Sequence, residues 1–185
     1  MKRDAHSSEA SGHAKGKNEP FSSRQRQNRR RSGGYDPFSQ RDQDFRCLHC
    51  RMQVSGNPHL SGVRNRNHCP YCLYSQHVDL HTAGDRLADC KAEMKPIGLT
   101  LKQTRKKYGP STGELMLVHV CLGCGKLSIN RIAADDLTYK VLEMLDGFNQ
   151  LDESILLQMQ ENGIHALQPG DRATVERQLG VSSAN

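Results

Sequence analysis

The sequence predicts a small α+β fold, with short antiparallel strands and cysteine knuckles at its centre, a disordered basic N-terminal tail and a helical C-terminal extension. Three observations lead there. Cys47 and Cys50 are followed, after an eighteen-residue gap, by Cys69 and Cys72, so two C-x2-C pairs stand in tandem. Residues 114–120 alternate between two faces in strand period, and after Ala134 the apolar residues change to helical spacing. Only 35% of the 185 residues are hydrophobic, 5% are aromatic and tryptophan is absent, against a usual apolar share of about 45–50%. A large core is therefore excluded, and chains short of core commonly add metals or disulfides.

Residues 1–43 are rich in Ser, Gly, Gln, Asn and Arg and lack apolar periodicity. Ordering such a segment costs about 1–2 kcal/mol per residue in backbone entropy, with little burial to offset it, so the tail is expected to be disordered. Its centre holds Arg24, Arg26, Arg29, Arg30 and Arg31, a candidate phosphate-binding arm or a plain solubilising extension. The net charge of +6 is unevenly placed, since residues 1–146 are basic whereas residues 147–185 carry five acidic and two basic side chains. The expected division is a tail over 1–43, a double-knuckle domain over 44–146 and an acidic helical extension over 147–185.

Each C-x2-C spacer lets one tight turn aim two sulfurs at one ion, so Cys47, Cys50, Cys69 and Cys72 read as a structural Zn2+ site of zinc-ribbon type. A rubredoxin-like iron site would use the same ligands, but the polar, basic surroundings (Arg46, His49, Arg51, Arg64, Arg66 and His68) suit zinc better. The seven cysteines form close pairs with an odd count, and no signal-peptide-like or membrane-spanning apolar run is present. These features favour a reducing cytoplasm.

Further along, residues 97–101 and 114–120 are the best strand candidates, joined by a basic turn region carrying Lys102, Arg105, Lys106 and Lys107. Leu115, Leu117 and His119 share one face of the second strand, which runs directly into Cys121. Cys121 and Cys124 make a third knuckle, and with Cys90 they supply three ligands of a second site. The fourth is sought among the histidines. His119 is preferred because it shares a strand face with Cys121, with His77 and His81 as alternatives. Phe45 occupies the matching place before Cys47, however, so His119 can equally be a packing residue.

Leu137, Val141, Leu142, Leu145 and Phe148 predict one helix, capped by Asp135 or Asp136. Leu151, Ile155, Leu156 and Met159 predict another, with Asp152 as cap and Asn162-Gly163 as stop, and a third is expected over 171–179 after Pro169-Gly170. Their apolar faces serve as core or as a surface for a protein partner. Neither H-E-x-x-H nor the deaminase signature occurs, and no nucleophile stands beside a base, so no catalytic residue is assigned.

Arg66-Asn67-His68-Cys69-Pro70-Tyr71-Cys72-Leu73, followed by Ser75 and His77-Val78-Asp79, resembles the RNHCP family. Gly84-Asp85-Arg86, Cys90, Met94-Lys95-Pro96-Ile97-Gly98, His119, Cys121, Cys124-Gly125, Asn130-Arg131 and Ala134-Asp135-Asp136 extend the resemblance over about residues 44–142. It implies a bacterial, zinc-ribbon-like protein and lends no reaction. Its polar residues are expected to orient ligands and knuckle backbone, or to form a surface for RNA.

The leading expectation is a non-catalytic zinc module that binds RNA, including on the ribosome, through the tail arginines, Arg64, Arg66, Lys102, Arg105, Lys106 and Lys107. A protein-interaction adaptor using the C-terminal helices is the alternative. A metal-dependent hydrolase or nuclease is the third reading, motivated by the incomplete second site.

Overall fold

The computed structural model of the chain describes residues 43–103 and 113–181. The arginines from 24 to 31 and the turn residues Arg105, Lys106 and Lys107 lie outside them, as does nearly all of the predicted tail. The mixed α+β class is as expected. In chain order the elements are β1 (Phe45–Arg46), β2 (Gln53–Val54), α1 (Pro58–Ser61), β3 (Ser75–Gln76), β4 (Glu93–Lys102), β5 (Glu114–Cys121), β6 (Leu127–Arg131), α2 (Thr138–Asp146), α3 (Glu153–Glu161) and α4 (Arg172–Leu179). β1 and β2 form a hairpin of their own, while β3-β4-β5-β6 form one antiparallel sheet.

β5 is the centre of the molecule because both of its faces are covered. Leu115 and Leu117 join Leu73, Leu99, Val141, Leu145 and Val175 on one side, whereas Val118 packs with Leu127 and Met159 on the other. β4 begins earlier than the residue 97 expected from its apolar run. Pro96, which has no N–H for a ladder, is accommodated by a register shift between Pro96 and Gly98.

The helices after residue 147 do not stand apart. Met159 of α3 and Val175 of α4 are core residues, so the faces considered for an outside partner are largely used within the fold. β3 pairs only with Met94 and Glu93, which leaves most of that edge of β4 open. The segment before α4 closes it: Leu167 N donates to Leu99 O (2.8 Å), the Thr100 hydroxyl donates to His165 O (2.7 Å), and Thr100 bridges Ala166. An edge strand is thereby shielded from pairing with another chain. No helix among the described residues is long and apolar enough to cross a membrane.

Candidate metal centres and a basic cleft

Three knuckles share one backbone pattern. In each, the N–H of the fourth residue after the first cysteine donates back to that cysteine's carbonyl: Arg51 to Cys47 (3.1 Å), Leu73 to Cys69 (2.8 Å) and Gly125 to Cys121 (2.9 Å). The cysteine N–H in turn donates to the next residue's carbonyl, at Met52, Tyr74 and Lys126 respectively. The pattern requires a left-handed residue at the fourth position, with φ of 65°, 62° and 74°. Glycine meets that demand without strain only in the third knuckle; for Arg51 and Leu73 the conformation costs about 1–2 kcal/mol each. At Leu73 complete burial in the main core offsets the strain.

The first two knuckles face each other. Cys47 Sγ lies 3.6 Å from Cys72 Sγ, and Cys50 Sγ lies 3.5 Å from Cys69 Sγ. These separations are far longer than the disulfide length of about 2.0 Å and close to the roughly 3.8 Å that separates two sulfurs bound tetrahedrally to one zinc. Burial, reinforced by the Cys50 and Cys47 thiols, pushes Cys69 up to about 11. Burial also opposes ionisation of Cys50, but the Met52 backbone and its neighbouring thiols outweigh it and hold Cys50 below its usual value. One thiolate thus suppresses the ionisation of the others, and full deprotonation of the set demands a cation.

The second cluster is His77, Cys90, Cys121 and Cys124, with one ligand atom from each lying within 4.8 Å of all the others. The preference for His119 is therefore corrected: the fourth place belongs to His77. The reason is sheet register. β3 pairs with the start of β4, and the pairing continues past its end, with His77 N donating to Ala92 O (2.9 Å) and Lys91 N to His77 O (3.1 Å). His77 is so set beside Cys90, and its Nδ1 stands 3.3 Å from Cys124 Sγ.

His119 and Cys121 do share a face, but same-face neighbours on a strand are roughly 7 Å apart. Instead, the fully buried His119 donates from Nε2 to Leu73 O (2.7 Å), and the Asn130 amide donates to its Nδ1 (3.1 Å). Burial, with His68 close by, pushes His119 down to about 4, so it is neutral at neutral pH. It pins the second knuckle to the strand that carries the third. His81 is not among the clustered ligands, and its backbone N–H donates to Asp85.

The second donor set also fits a metal. Burial, with Lys126 nearby, pushes His77 down and keeps the ring neutral, as ligation requires. Gly123 is needed for close approach: a Cβ there would come within 2.8 Å of Ala92 Cβ and 3.3 Å of Cys90 Sγ. One departure from common practice is that the buried His77 Nε2 has no hydrogen-bond partner, whereas the outer nitrogen of a ligand histidine usually donates to one. Three thiolates and an imidazole, like four thiolates, form a closed tetrahedral set of the structural zinc kind.

Arg66 was expected to contact nucleic acid, and its side chain is instead enclosed. Its guanidinium donates to both oxygens of Asp135 (2.7 Å each) and to Asp136 (3.1 Å), and Nε donates to His68 O (3.0 Å). Asp136 also holds His68 Nε2 (2.9 Å) and accepts from Ala133 N (2.8 Å). The two aspartates expected to cap α2 are thereby consumed, and Leu137 takes the cap position with no side-chain bond. Beside them, Asp85 accepts from the backbone of Thr82, Leu80, His81 and Leu87, which holds its carboxyl well below the usual range. Asp79 accepts from Gly84 N and Arg86 N.

A cleft of about 490 Å3 opens above this network, lined by residues that include Arg64, Lys102, Arg131, Asn67, Asn130 and His68. The structure thus brings Arg64 and Lys102, two of the expected phosphate contacts, to one cavity. Sequence reasoning did not foresee that cavity, because its walls come from five separated stretches of chain.

No curated protein and no solved structure matches the chain. The RNHCP domain matches residues 42–142. That span is more than half of the sequence and contains the ligand residues of both clusters together with the Arg66–Asp136 network, and the chain belongs to the RNHCP family.

Proposed function

We propose that the protein is a non-catalytic RNA-binding module whose fold is held by two zinc ions. The supporting observation is the division of labour among its charged and metal-ligating groups. Each cluster supplies a full set of four protein donors, so neither keeps a coordination position for a substrate. Arg64 and Lys102, which have no carboxylate partner among the described residues, stand together on the cleft. The arginine-rich segment at residues 24–31 and a net charge of +6 add sequence-independent attraction to a polyanion.

The test is binding of the zinc-loaded chain to single-stranded RNA across a salt series. The expected outcome is a steep loss of affinity, with a log–log slope of about −0.7 for each phosphate contacted. Absence of binding to any RNA or DNA at low salt would sink the reading. Metal analysis of the same sample should give two zinc equivalents; iron would redirect the assignment of the first cluster.

A further inference from the structure

We infer that the cleft beside the Arg66 network is a binding site for a single nucleotide, either one splayed unit of single-stranded RNA or a free nucleoside monophosphate. The polymeric source rests on the RNA-binding reading above; the site itself rests on the chemistry of its walls.

Charge sets the first requirement. Of the ionic groups around the cleft, Arg66 is spent on Asp135 and Asp136, and Asp79 pairs with the Arg86 guanidinium (3.7 Å) while accepting from the backbone of Gly84 and Arg86. Arg131 shares Glu114 at 3.1 Å. Arg64 and Lys102 remain, exposed and with no carboxylate partner among the described residues, so the cleft selects an anion.

Shape and polarity set the second. At about 490 Å3 the cavity falls in the range of small-molecule sites, roughly 300–1,000 Å3, and exceeds the needs of an inorganic ion. Met116 and Ile129 are apolar, and Asn67 and Asn130, which carry side-chain amides, are among the residues around the same space. His119 fixes the polarity of one amide. Because its Nε2 carries the proton given to Leu73 O, its Nδ1 must accept, so Asn130 turns its NH2 toward His119 and its amide oxygen is left without a bond to that ring. An anionic ligand with a flat apolar body and a donor-and-acceptor edge is a nucleotide. Side-chain amides read such edges by paired hydrogen bonds. Among the described residues no Phe, Tyr or Trp lines the cavity, so hydrogen bonding rather than aromatic stacking is what those residues offer a base, which predicts discrimination among bases.

The test uses the full zinc-loaded chain and follows backbone amide resonances during titration with each of the four nucleoside 5′-monophosphates, inorganic phosphate and a short single-stranded RNA. The wild type is compared with the Arg64→Ala, Lys102→Ala double variant, whose two positions are exposed, with retained zinc as the folding control. Resonances of residues 64–67 and 129–131 should move with at least one nucleotide, more weakly with phosphate, and the double variant should bind about tenfold less tightly or worse. RNA binding unchanged in the variant, with no cleft shifts from any nucleotide, would overturn this inference while leaving the RNA-binding reading intact. Cleft shifts from nucleotides without RNA binding would support the site and defeat the RNA reading. Silence of the cleft toward every probe refutes the inference.

Discussion

The two metal-ligand clusters are built on opposite principles. The first joins two knuckles around a small buried group of their own, Cys47, Cys69 and Val54, with Phe45, Cys50 and Cys72 packed against it, and only the second knuckle, through Leu73, reaches the main core. The second is attached to a finished sheet, one knuckle continuing β5 and two single ligands lying beside the start of β4. The first cluster is therefore the core of its region, while the second is a clasp on a region that already has one. Burial separates them only in part: each cluster has two buried ligands, and the other two are half-buried in the first (Cys50, Cys72) and exposed in the second (Cys90, Cys124).

The largest expected effect concerns loss of the first ion. Apparent binding free energies of about 10–16 kcal/mol for structural zinc exceed the usual stability of a small domain. Cys69→Ser should abolish hydrogen-exchange protection across residues 45–76, whereas Cys124→Ser should lose one zinc equivalent and leave β5 and β6 protected. Equal damage from the two variants would erase the distinction between core and clasp.

Arg66→Ala comes next, at about 3–5 kcal/mol, because it strands Asp136 and unties His68 in a buried site. Denaturant unfolding measures it, and a loss under about 1 kcal/mol would show the network to be dispensable.

His77 and His119 are then separable by metal content. His77→Ala should drop the chain to one zinc equivalent, while His119→Leu should keep both and lower stability by about 1–3 kcal/mol through the orphaned Leu73 carbonyl. Retention of both ions in the His77 variant would contradict the ligand set. The smallest effect belongs to Gly125→Ala, about 1–2 kcal/mol, which places a side chain on a left-handed residue. Its zinc count should be unchanged.

Much of this architecture was legible in the sequence because it is local. The C-x2-C spacing announced the knuckles, and the alternation of residues 114–120 announced β5, both of whose faces proved to be buried. What escaped detection depends on contacts between distant residues. His77 becomes a ligand only through the β3–β4 register, which no spacing rule encodes; the sole warning was that Phe45 occupies the place of His119 in the first knuckle. Asp135 and Asp136 carry a helix-cap signal, yet Arg66, almost seventy positions upstream, claims both. An arginine in a basic stretch resembles a phosphate contact until its burial is known. The cleft was invisible for the same reason, since Arg64, Lys102 and Asn130 meet only after the sheet has formed.

The cover over the edge of β4 has a consequence for how the chain is made. Leu99 leaves the translating ribosome about 70 residues ahead of Leu167, the residue whose N–H it accepts, an interval of roughly 3–14 s at ordinary synthesis rates of about 5–20 residues per second. Throughout that interval every ligand cysteine through Cys124 is closer to emergence than the segment that shields the edge. The nascent chain can thus gather its metals before its sheet is protected, which makes that interval the period in which this protein is most vulnerable to pairing with another copy of itself.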